Sequence, residues 1–177
     1  MGSAQPTAHE ATLLMGATLA VSMIGIFFGI FFLFANPDIA VRIAAAILVG
    51  VVGIISFIRH SVYYQSDQIR MGWRQDHPEF QLEVGYANLA LGFWALVAAV
   101  FSWILVCGVI LAAYATYLFC ALLLHLSDAH AWEDLHIPAH RVLAIRSMVS
   151  TGFFVLVLSG FAAVAFARAG VLPFVHL

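Results

Sequence analysis

Four side chains that could do chemistry stand at the ends of long apolar runs: His60, Glu83, His125 and Asp128. His60 closes the second run, Glu83 opens the third, and His125 with Asp128, at helical i,i+3 spacing, closes the fourth. Imidazole and carboxylate groups are the usual protein ligands of iron, zinc, manganese and copper. If the runs are membrane helices, these four groups lie at similar depth near one face. Three helices could then supply a transition-metal site, with His130 or His136 as an outer ligand. The pair His60 and His125 would alternatively serve as axial ligands of haem b, with Gly53 leaving room for the ring. The competing reading is that these groups only solvate helix ends, where membrane proteins place polar residues anyway, and pair with Arg59, Arg70 and Arg141.

Other patterns carry less. Glu133-x-x-His136 has the spacing of di-iron carboxylate helices, but that chemistry needs a second copy and the chain has one. His136 and His140 are four apart with Pro138 between them; proline disfavours helix at Ile137, so the two do not share a helical face. Pro138 starts a new helix, and His77-Pro78-Glu79 reads as a turn. No Ser/His/Asp or Cys/His signature, phosphate-cradling glycine loop or basic nucleic-acid stripe is present, so no motif names a reaction. Cys107 and Cys120 fall in one apolar run, roughly 20 Å apart on a helix, too far to bridge each other.

The elements that must position these groups follow from hydrophobic length. A hydrocarbon core of about 30 Å takes roughly 20 apolar residues in a helix. Spans are expected at about 11–35, 39–64, 84–101, 104–126 and 148–167, within a single all-α transmembrane domain covering 1–177. Asn36-Pro37-Asp38 makes the first turn. The stretch 84–126 has no Asp, Glu, Lys or Arg and as one helix would run about 65 Å, so it folds as a hairpin with its turn at Phe101-Ser102-Trp103. In the second span Arg42, Ala46, Val49, Gly53, Ser56 and His60 fall on one stripe, and in the fourth Cys107, Tyr114, Ala121, His125 and Asp128 do the same. Polar groups facing acyl chains cost several kcal/mol, so both stripes are expected to face protein. Asn88 must likewise find a hydrogen bond inside the bundle, and Gly25-x-x-x-Gly29 permits close helix packing.

Composition sets the solvent. Only 9% of residues are charged, against about 25% in a soluble domain, so lipid must surround most of the chain. The net charge of −2 excludes nucleic acid as an expected partner. The N-terminus has no basic segment before its first apolar run, which argues against a cleaved signal peptide. Lysine is absent, and five of the seven arginines (Arg59, Arg70, Arg74, Arg141, Arg146) belong to the side carrying the two long polar segments, against Arg42 and Arg168 on the other. The positive-inside rule makes the arginine-rich side cytoplasmic, with the N-terminus cytoplasmic and the C-terminus extracytoplasmic.

The stretch Phe80-Gln81-Leu82-Glu83-Val84-Gly85-Tyr86-Ala87-Asn88-Leu89-Ala90 resembles a segment that opens a hydrophobic span in a family of small, uncharacterised bacterial polytopic membrane proteins. The resemblance covers little beyond the third span. It implies a bacterial membrane protein and draws attention to Glu83 and Asn88, but carries no reaction with it. The histidine density between His125 and His140 has no counterpart there. Taken alone, Glu83 complements a helix dipole at the start of a span.

Three functional classes follow. The first is a metal or redox protein using the His/carboxylate cluster, and the second is a non-catalytic accessory subunit of a larger membrane complex. The third is a proton-coupled small-solute carrier, disfavoured because no span is broken by proline or paired glycine at mid-membrane depth.

Overall fold

The computed structural model describes residues 7–71, 78–132 and 138–171; within them, the side chains of 125, 127–132, 138–144, 146 and 147 lie outside the description. The chain is an all-α integral membrane bundle with five helices long and apolar enough to cross a bilayer. Helix α1 runs His9–Leu33. Asn36 then caps the next helix, its side chain accepting from the Ile39 N–H at 3.2 Å, and Pro37 occupies the first turn, where its missing N–H costs nothing. Helix α2 is the continuous span Pro37–Val62. A short polar helix, α3, covers Tyr64–Met71. Helix α4 is Pro78–Val100, α5 is Ile104–Trp132 and α6 is Pro138–Arg168. The turn between α4 and α5 falls at Phe101-Ser102-Trp103, with Ser102 in the left-handed region at φ 59°.

Span α2 is not uniformly wound. Ala45–Val51 and Ile58–Val62 are π-helical, separated by α-helix at Val52–Phe57. Such wider turns are uncommon and occur often at functional sites. They also shift the angular phase of a helix, so the α-helical spacing that aligns Arg42 with His60 does not carry through the span. Helices α5 and α6, of 29 and 31 residues, are about 43 and 46 Å long, so both overrun the membrane core.

The core is built from small residues that let helices approach. Ala40, Val41, Ala44, Leu48 and Val49 of α2 pack with Ala95 and Ala98 of α4, Leu111 of α5 and Leu158 of α6. Gly25 and Gly29 serve this intramolecular packing. A Cβ on Gly25 would stand 2.5 Å from Leu48 Cδ2, and one on Gly29 would stand 2.6 Å from Phe161 Cζ. Between α2 and α4 the contact is backbone to backbone, since a Cβ on Gly53 would meet the Asn88 carbonyl oxygen at 2.7 Å.

Candidate functional site

The polar groups converge where the end of α2, the helix α3 and the start of α4 meet. At their centre is Asp67, fully buried. Its placement starts with sequence. Ser66, Asp67 and Gln68 form the buried face of α3, and Ser66 Oγ accepts the Ala11 N–H at 3.0 Å. That bond satisfies an otherwise orphaned first-turn donor of α1 and holds α3 against it.

An isolated buried carboxylate is costly, and Asp67 is matched on every side. Arg70, one turn along α3, donates from Nε and Nη2 to Oδ1 at 3.1 and 2.9 Å. Gln81 of α4 donates from Nε2 to Oδ2 at 2.9 Å. Arg59 brings its Nε to 3.6 Å from Oδ1, and His60 brings Nδ1 to 2.8 Å from Oδ2. The first is an ion pair and the second a close polar approach, and in both the N–H direction falls off the line of a hydrogen bond. Burial pushes the Asp67 carboxyl up, but the His60 contact and the charges of Arg59 and Arg70 outweigh it and hold its pKa down at about 2. Asp67 is therefore an anion at any physiological pH.

The geometry also fixes the state of His60. Nη2 of Arg59 lies 2.9 Å from its Nε2. A guanidinium can only donate, so Nε2 must accept and the ring proton sits on Nδ1, next to Asp67. The result is a chain from the Arg59 cation through a neutral imidazole to the Asp67 anion. The other amino group of Arg59, Nη1, contacts the Met15 thioether of α1 at 2.9 Å.

Two turns deeper in α4 a second polar layer sits inside the bundle. Asn88 donates from Nδ2 to the Val84 carbonyl at 2.7 Å and to the Tyr117 hydroxyl at 3.3 Å, and its Oδ1 accepts from Tyr114 at 3.2 Å. The two tyrosine rings stack at 5.9 Å. Asn88 thus finds the partners its position demands. Toward the opposite face lie apolar core residues, and then Arg42, whose Nε donates to the Ala99 carbonyl near the end of α4 at 2.8 Å.

Of the residues expected to bind metal, the structure brings His60 into the Asp67 cluster and leaves Glu83 apart. Helix α4 turns about 100° per residue, so Gly85 and Asn88 return to the face of Gln81 while Glu83 lies on the other side, exposed. His125, Asp128 and His130 are on α5, but their side chains, like the whole of His136, lie outside the described residues. Among the described residues no group of three or more His, Cys, Asp or Glu gathers to hold an ion. A metal or haem iron at His60 would first have to displace Arg59 or Asp67 from its ring nitrogens. The centre of the site, Asp67, was not singled out by sequence, although Asp67 and Arg70 at i,i+3 are a pairing signal on any helix.

A family model matches residues 15–163, a range that includes the whole Asp67 cluster and the Asn88 layer. The chain belongs to DUF6790, a family of unknown function. The DUF6790 match takes in the Phe80–Ala90 segment and extends far beyond it, leaving outside it only the start of α1 and the end of α6 among the described helices. No curated protein and no solved structure matches the chain.

Proposed function

We propose that this membrane protein works by taking up a proton at His60, and that the proton-coupled carrier is the class it fits. The single observation that carries this is the contact of Arg59 Nη2 with His60 Nε2. A proton arriving at Nε2 turns an acceptor into a donor, and Arg59 must then leave. Asp67 stays ionised throughout, so among the side chains that touch it the imidazole is the one that can gain a proton. Departure of Arg59 from the imidazole loosens the junction of α2 and α3, next to the π-wound segment Ile58–Val62. The other π-wound stretch, Ala45–Val51, lies near the middle of the span and answers the objection drawn from unbroken spans, because it supplies an irregular backbone without proline. The arginine-rich side, by the positive-inside argument, faces the cytoplasm of a bacterial inner membrane in this reading.

The test is nitrogen-15 NMR of the His60 ring in lipid bilayers. At about pH 7.5 the expected spectrum is the neutral Nδ1–H form, and at a lower pH of about 4.5 it is the doubly protonated ring, with Arg59 moved away from Nε2. An Nε2–H tautomer, or a ring that stays neutral at the lower pH, overturns the proposal. This reading is preferred to a metal or haem site because Arg59 occupies Nε2 of His60, Asp67 stands 2.8 Å from Nδ1, and Glu83 faces away.

A second reading, the accessory subunit, draws on α1. It is the least buried span, and it presents Met23, Phe27, Phe31 and Phe34 outward, with Phe27 and Phe31 stacked at 6.4 Å. It predicts that mild detergent keeps the protein with other chains through this ridge and that Phe27→Ala with Phe31→Ala releases it. Release of nothing by that double variant removes the reading.

A further inference from the structure

Buried side-chain polar atoms that lack a hydrogen-bond partner are rare in proteins. Among the described residues they occur in one place. Arg59 Nε, His60 Nδ1 and Ser61 Oγ at the end of α2, Gln68 Oε1 on α3 and Gln81 Oε1 on α4 have no hydrogen-bond partner within the protein. All belong to the three elements that meet at Asp67, and Gln68 and Gln81 are each only 2% exposed. The equally buried Asn88, by contrast, spends its amide on the Val84 carbonyl and two tyrosine hydroxyls. The deep layer is closed; the Asp67 layer has two N–H donors, two amide oxygens that accept and one hydroxyl that can do either unspent.

Charge and polarity select what completes them. Arg59 and Arg70 already balance Asp67 with positive charge in excess, so a bound cation would face two guanidinium groups. An anion would face Asp67 and two amide oxygens that can only accept. A small neutral molecule that both donates and accepts meets neither objection. We infer that the Asp67 cluster is a binding site for ordered water, held by Gln68, Gln81 and Ser61 and reaching Arg59 Nε and His60. Water satisfies several polar groups at once in such settings, making about three hydrogen bonds each. Gly85 contributes by its size: a Cβ there would overlap Ser61 Oγ, so glycine leaves the hydroxyl its position at the edge of the site. Water here would also give a proton a path to the cluster. The inference itself rests on the unspent atoms and not on the proton-uptake reading.

Water-edited solid-state NMR of the whole protein in lipid bilayers tests it at a fixed pH of about 7.5, where His60 is neutral in either case. Polarisation should pass from water to the side-chain amides of Gln68 and Gln81 several-fold faster than to Asn88, which serves as the internal reference. Build-up at Gln68 and Gln81 as slow as at Asn88 overturns the inference. Two variants supply an independent sign. Truncating an acceptor that has no partner removes a desolvation penalty and raises the melting temperature, whereas truncating one that binds water lowers it. Ser61→Ala and Gln68→Leu should each melt lower by about 2–4 °C, and a rise or no change in either overturns the site. Fast water transfer combined with a His60 ring that fails to titrate would sink the proton reading alone.

Discussion

Two aspartates, each paired with arginine near opposite faces of this bundle, do different work. Asp38 opens α2 and meets Arg168 at the end of α6, with Oδ1 at 2.8 Å from Nε and Oδ2 at 3.3 Å from Nη2. Both side chains are about two-fifths exposed, at 43% and 38%. Asp67 has no exposure at all and takes contacts from α2, α3 and α4 together. Pair chemistry is the same, yet water competes for one pair and is largely excluded from the other. A surface pair fastens two helix ends weakly and is screened by salt. A buried one fixes the arrangement of every element that contributes, because removing any partner strands a charge.

The sharpest break between them is deletion. Asp67→Ala strands Arg59 and Arg70 and should cost about 3–5 kcal/mol, read as thermal unfolding in detergent. A loss no larger than that of Asp38→Ala would mean that burial does not distinguish the two sites.

Packing around the buried site comes next. Gly85→Val pushes a side chain into Ser61 and should destabilise by about 1–3 kcal/mol. Gly16, with nothing within 4 Å of a Cβ built on it, is the control. Gly16→Ala in mid-helix should be neutral or stabilise by about 0.5–1 kcal/mol. Equal effects at the two glycines would remove the case for a tightly fitted junction.

Acid separates the sites by sign as well as size. The Asp67 carboxyl is lowered from 3.8 to about 2, so its stabilising contribution is complete above the unfolded value and is lost as pH falls from about 4 toward 2. A shift of that size corresponds to about 2 kcal/mol. Wild type should therefore show a falling melting temperature across that window, and Asp67→Asn should show a flatter one. Parallel profiles would place the acid sensitivity elsewhere.

The smallest effect belongs to the exposed pair. Arg168→Ala should change the melting temperature by little more than the error of measurement, and high salt should erase even that difference. A salt-resistant loss would show the outer clamp to be more than a surface contact.

What the sequence determined by itself is what local physics decides. Hydrophobic runs of span length, the Asn36-Pro37 cap and the absence of charge across 84–126 require five helices and a turn at 101–103, and the structure has them, although α4 starts at Pro78, in what reads as a turn, rather than at 84. Asn88, a polar amide in an apolar run, requires a partner inside the bundle and has one. The centre of the candidate site was not legible in this way. Tyr64–Met71 is short and polar, and by composition it is indistinguishable from a solvated loop. Only its docking against the first turn of α1 and the start of α4 takes Asp67 out of water and turns an ordinary i,i+3 pair into the hub of five polar side chains. Tertiary structure also decided that Glu83 and His60 part company, because similar depth along two helices says nothing about which way each side chain faces. The π-wound stretches of α2 belong to the same class: they change the angular phase of the span, and a pattern read at 3.6 residues per turn cannot register that change.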